Sequence, residues 1–187
     1  MMKSPLLKTG AAVIGFAILV GVTILWSDAS EKSRYLQMAP VGLGVSQVLY
    51  SLEESWGFGP GGNETGIVVF ELPVDVASRI ERQGIRFLDQ RVSSQTVVRR
   101  GTDMRIPYRW NATPVRVEGS DDNTNLARSY DIGEYLNRYG FGLVIDKEVT
   151  RTINDALSSR GNFVDDNGRR LLIIMPKARK LVFAYRG

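Results

Sequence analysis

Apolar positions along this chain occur in three patterns: one unbroken run, several clusters at helical spacing, and several short runs of strand length. The unbroken run is Thr9 to Trp26, TGAAVIGFAILVGVTILW, 18 residues without a charge. At 1.5 Å rise per residue it would form about 27 Å of helix, close to the roughly 30 Å hydrocarbon core of a bilayer. Lys3 and Lys8 precede it, and Asp28 and Glu31 follow it. That asymmetry predicts a single transmembrane helix with a cytoplasmic N-terminus and everything after it outside. Gly10, Ile14, Ala17 and Gly21 recur at helical spacing, a small-residue face suited to packing on a partner helix. A cleaved signal peptide is the competing reading. Ser27 and Ala29 have the small-x-small spacing of a cut after Ala29, although a signal core is usually only about 7–15 residues long.

The periodic clusters follow. After the polar linker 28–39, Pro40 opens a segment in which Val41, Val45, Val48, Leu49, Leu52 and Trp56 recur at helical spacing. This predicts a helix covering the core of the outer domain. Pro73 starts a second helix with Val76, Ala77 and Ile80 inward and Gly84 as its stop. Asp131 caps a short helix carrying Ile132, Tyr135, Leu136 and Tyr139. Asp146 caps a longer one carrying Val149, Ile153 and Leu157, which ends before Gly161.

Strand-length runs complete the pattern. Residues 67–72 form one strand. Residues 171–175 and 181–185 form an antiparallel hairpin across the charged connection 176–180, and Asp165–Gly168 makes a tight turn before it. Residues 141–145 read as a further strand. The proline-limited stretch 106–115 reads as a short edge strand, with 115–118 as another. Residues 85–88 fit either a strand or one more helical turn, and 89–105 has no clear period and reads as an arginine-bearing loop, with room for a short strand at Thr96–Val98. Helices and strands mix without strict alternation. The fold class expected is therefore α+β: an N-terminal transmembrane helix, then one extracytoplasmic domain with a mainly antiparallel sheet and several helices. The boundaries are 1–27 for the cytoplasmic tip and anchor, 28–39 for the linker, and 40–187 for the domain.

Composition removes several chemistries. The chain has no cysteine and no histidine. Disulfides, thiolate and imidazole metal sites, and Ser-His-Asp or Cys-His catalysis are excluded. No cofactor or metal is assigned. The net charge of +4 is distributed in blocks: residues 79–116 hold nine arginines against three acids, while 28–78 and 117–168 each carry a net −5. The balance outside the anchor is too even for a nucleic-acid binder.

Arginine pairs bidentately with carboxylates and phosphates and stacks on rings, so Arg99, Arg100, Arg105 and Arg109, with Trp110, are the candidate contacts for an anion or an acidic partner. Other motifs fail on context. Gly57, Gly59 and Gly62 match a dinucleotide fingerprint but precede a strand rather than a helix. Asp121, Asn123 and Asn125 open like a calcium loop, but Leu126 and Ile132 stand where glycine and glutamate are needed.

Two functions follow from these observations. The first is a membrane-anchored envelope protein that acts as a non-enzymatic binding or accessory subunit of a membrane complex, its partner another membrane or envelope protein. The alternative is an anchored carboxylate enzyme acting on cell-wall or other glycan, with Glu64, Asp121, Asp122 and Glu134 available as acids. Topology and the missing cysteines point to a bacterial inner membrane with the domain in the periplasm.

Overall fold

A computed structural model of the chain describes residues 30–55, 64–92, 106–115 and 131–186, together with the backbone of 94–99 and 102–105. Residues 30–38 are helical (α1), and a single 3-10 turn follows at Val41–Leu43. Strands β1 (Val48–Ser55) and β2 (Glu64–Glu71) lead to helices α2 (Val74–Gln83) and α3 (Ile85–Arg91). Strands β3 (Ser94–Arg99), β4 (Thr102–Pro107) and β5 (Asn111–Ala112) come next. Helices α4 (Ile132–Leu136) and α5 (Lys147–Ser158) then precede β6 (Phe163–Asp166), β7 (Arg170–Met175) and β8 (Lys180–Arg186).

Six strands form one antiparallel sheet in the order β1-β2-β8-β7-β6-β5, and β3 and β4 form a separate two-stranded ribbon. The centre of the sheet is covered on both sides. On one face Val68, Phe70, Leu172 and Phe183 pack with Tyr35 of α1, Ile80 of α2 and Leu88 of α3. On the other, Ile67, Val69, Ile173 and Val182 pack with Leu136 of α4 and Ile153 and Leu157 of α5. Burial on both faces explains why β2, β7 and β8 read as unbroken apolar runs rather than alternating ones. All six residues of β7 are buried. The caps on α4 and α5 form as their sequences require: Asp131 accepts from the Glu134 amide at 3.0 Å, and Asp146 from the Glu148 and Val149 amides at 2.8 and 3.1 Å.

Several expectations are corrected. Among the described residues no helix is long and apolar enough to cross a membrane. The longest complete helix, α5, has 12 residues and carries Lys147, Glu148, Arg151 and Asp155, whereas a span needs about 20 apolar residues. The fold class with a transmembrane helix is thus corrected: the described residues form an α+β domain with a six-stranded antiparallel sheet. The stretch 9–26, with Gly10, Ile14, Ala17 and Gly21, lies outside the described residues.

The helix expected after Pro40 stops after one turn at Gly44, whose φ of 60° is left-handed. The rest of that segment is β1: Tyr50 and Leu52 alternate onto one core, a bulge turns Val48 to the other, and pairing with the apolar β2 decides against the helical period. The linker 28–39 is helical over 30–38 and buries Tyr35. The loop expected at 89–105 holds the end of α3 and the β3–β4 ribbon. Residues 141–145 do not form a strand. Asn137 pairs there with Leu143, its side-chain amide donating to the Leu143 carbonyl at 2.9 Å and its oxygen accepting from the Leu143 amide.

Candidate partner-binding edge

The arginine segment is only partly described. Arg99 ends β3 opposite Thr102, and Arg105 lies in β4 opposite Thr96. Arg100 is outside the described residues. Arg109 is exposed, and its backbone amide donates to Asp165 Oδ1. Trp110 is buried at 6% exposure; its indole N–H donates to the Val92 carbonyl at 3.3 Å and its ring stacks on Tyr108 at 5.5 Å. The tryptophan is therefore core, with no ring face open to a ligand. Of the acids of the alternative reading, two are described. Asp121 and Asp122 lie outside the described residues, Glu64 sits at the start of β2, and Glu134 is exposed in the first turn of α4. Among the described residues no group of three acids could hold a metal ion.

A pair that the sequence did not signal sits beside Trp110. Arg170 Nη2 lies 2.6 Å from Asp165 Oδ2, with the two side chains 7% and 3% exposed. The Arg170 guanidinium also rests 4.6 Å from the centre of the Tyr108 ring. These contacts lock the β6–β7 turn to the segment 108–110. Their burial marks the pair as structural. Arg170 follows the Asp165–Gly168 turn, and only that turn was legible in the residue types.

The sheet edges offer a different kind of site. An edge strand presents a row of backbone amides and carbonyls without a strand partner, which natural proteins usually blunt. At one end β5 has only two residues and is followed by Pro114, so it offers little to pair with. At the other end β1 has eight residues and contains neither proline nor lysine. No described strand lies on its outer side. Its one irregularity is a bulge between Val48 and Tyr50, which leaves Leu49 44% exposed and Tyr50 to Ser55 in regular register.

Alongside this strand runs a groove of about 280 Å³ between α1 and β1, lined by Glu31, Lys32, Tyr35, Val48, Leu49, Tyr50 and Ser51. One ion pair ties the helix to the strand, and further polar contacts surround it. Both Arg34 terminal nitrogens donate to the Glu53 carboxylate, at 3.4 and 2.9 Å. The Tyr185 hydroxyl donates to the same carboxylate. The Tyr35 hydroxyl donates to Glu31 at 2.9 Å, and the Tyr50 hydroxyl accepts from the Asp146 amide at 3.3 Å.

Gly66 makes the Tyr185–Glu53 bond possible, because it stands between them in register: Glu53 faces Gly66, and Gly66 faces Tyr185. A Cβ at Gly66 would stand 2.6 Å from the Tyr185 hydroxyl oxygen. Gly66→Ala is expected to displace that ring from Glu53 and destabilise the fold by about 1–3 kcal/mol, read by urea denaturation. A cost below about 0.5 kcal/mol would show that the ring moves aside freely.

Tyr35 and Tyr185, beside this edge, are held neutral. Burial, and then the bond to Glu53, raise Tyr185 above its ordinary value of 10.0. Burial, and then the bond to Glu31, raise Tyr35. Burial likewise raises Tyr108 and Tyr135. Arg34 is raised, chiefly by its hydrogen bonds to Glu53. Unfolded tyrosines ionise near pH 10, while these folded ones stay protonated. Their contribution is therefore fully present below about pH 10 and is lost as the pH rises beyond it. Melting temperature measured against pH should be flat through neutrality and fall on the alkaline side, with tyrosinate absorbance rising at unfolding. Ionisation of all the tyrosines near pH 10 in a protein still folded would contradict this.

No family model, no curated protein and no solved structure matches this chain.

Proposed function

We propose that this is a non-enzymatic binding domain that takes an extended segment of a partner protein as an added strand on β1. The asymmetry of the sheet carries this reading: one edge is two residues long, while the other is eight residues long and flanked by a groove with both polar and apolar lining. In strand addition, main-chain hydrogen bonds supply affinity and pockets beside the edge supply specificity. β1 provides the backbone row, and Tyr35 and Leu49 provide the apolar part of the groove beside it. The accessory-subunit role read from the sequence is retained in this form, without any dependence on a membrane anchor.

Selection of short random peptides on the full chain tests it, followed by backbone N-methylation of the selected binder. N-methylation at a residue that pairs with β1 removes a main-chain hydrogen bond and bulks the edge. One bond lost at about 0.5–1.5 kcal/mol should weaken binding about twofold to tenfold. Methylation of the alternate, outward positions should have little effect. Binders that tolerate methylation everywhere, or that shift no amide resonance in 48–55, would contradict the proposal.

A further inference from the structure

The alternation of β1 divides its residues between the two layers, and this fixes what an added strand would meet on each side. Ser51 and Glu53 lie on the α1 side: Ser51 lines the groove, and Glu53 bonds Arg34 of α1 and Tyr185. Tyr50 and Leu52 pack instead with the core beneath α4 and α5, and Glu54 continues that side of the strand.

The two sides differ in charge. On the groove side Glu53 is neutralised by Arg34, and Glu31 and Lys32 at the rim are of opposite sign. A partner residue there meets the exposed Leu49 side chain, next to Glu31 and Lys32, whose charges cancel. On the other side Glu54 is exposed and forms no ion pair among the described residues. Its neighbours in register are Thr65 and then Arg186, and the Arg186 guanidinium is turned to the Tyr135 ring and the carbonyls of Gly168 and Tyr135. Glu54 therefore presents an unneutralised carboxylate to whatever lies outside it.

We infer that the segment added on β1 carries arginine or lysine opposite Glu54 and a large apolar side chain opposite Ser51, over the groove. Ser51 and Glu54 are three positions apart and on opposite sides. The two partner residues are therefore also three apart and on opposite faces of the partner strand. This inference rests on the strand-addition reading and adds to it the chemistry of the occupant. Arginine suits the position best, because its planar fork matches a carboxylate bidentately.

The test uses the full chain and two synthetic peptides of alternating valine and threonine with a leucine at the groove position. One carries arginine three positions from the leucine, and the other carries glutamate there. Titration calorimetry should show the arginine peptide binding the unaltered protein about fivefold to tenfold more tightly, with the preference reversed in Glu54→Arg. Glu54 is exposed, so that variant should melt as the unaltered protein does. The same ranking of peptides in both proteins would overturn the inference. So would selected β1 binders without a basic residue, while leaving strand addition standing. If neither peptide binds but the chain self-associates with protection of 48–55, the occupant is a second copy, and only the inference fails. If there is neither binding nor self-association, both fall.

Discussion

Replacing Asp165 by alanine is expected to cost about 3–5 kcal/mol of stability, because it leaves a buried guanidinium without its carboxylate. Arg170 is only 7% exposed on its side chain, and its Nη2 reaches Asp165 Oδ2 at 2.6 Å. Asp165 also accepts from the Arg109 amide, so the change releases the segment 108–110 from the β6–β7 turn as well. For a domain whose whole stability is about 5–15 kcal/mol, such a loss approaches unfolding. A paired replacement, Asp165→Leu with Arg170→Met, should recover most of it, since removing both charges of a buried pair is often neutral. Urea denaturation of the two variants measures this. A loss below about 1 kcal/mol for Asp165→Ala would mean that water reaches the pair.

The second large effect concerns the layered core. Leu172 and Ile173 are consecutive in β7, both at 0% exposure, and they belong to the opposite cores. Leu172→Ala and Ile173→Ala should each cost about 2–5 kcal/mol, since each opens a cavity in a separate packed layer. A sheet covered on one face would give one large value and one within about 0.5 kcal/mol of zero. The two variants should also be close to additive unless the cavities communicate through the strand.

Legibility in the sequence followed the physics of each element. α2, α4, α5 and the β7–β8 hairpin were readable because each carries its own punctuation: Pro73 and Gly84, Asp131, Asp146, and the turn Pro176–Lys180 between two apolar runs. β1 was not, because Val45, Val48, Leu49 and Leu52 satisfy a helical period while the bulge between Val48 and Tyr50 interrupts the strand alternation. Only pairing with β2 decides for the strand, and that contact lies outside the segment. The helix over 30–38 was hidden by its polar composition. Its order comes from Tyr35 entering the core and Arg34 reaching Glu53, contacts that no local pattern announces. The site was hidden for the same reason. An edge is a property of sheet order, and the order β1-β2-β8-β7-β6-β5 places residues from the start and end of the chain side by side. Trp110 beside arginines resembled a stacking surface, yet its ring lies against Tyr108 inside the protein.

The central claim is that β1 accepts a further strand, and amide hydrogen exchange tests it most directly. In the free protein the amides of Tyr50 to Ser55 that face away from β2 should exchange rapidly, while those bonded to β2 are protected. With the arginine peptide bound, the outward amides of that stretch should slow and the inward ones stay as they were. Slowing confined to any other part of the molecule, with the outward amides of β1 unchanged, would contradict the account.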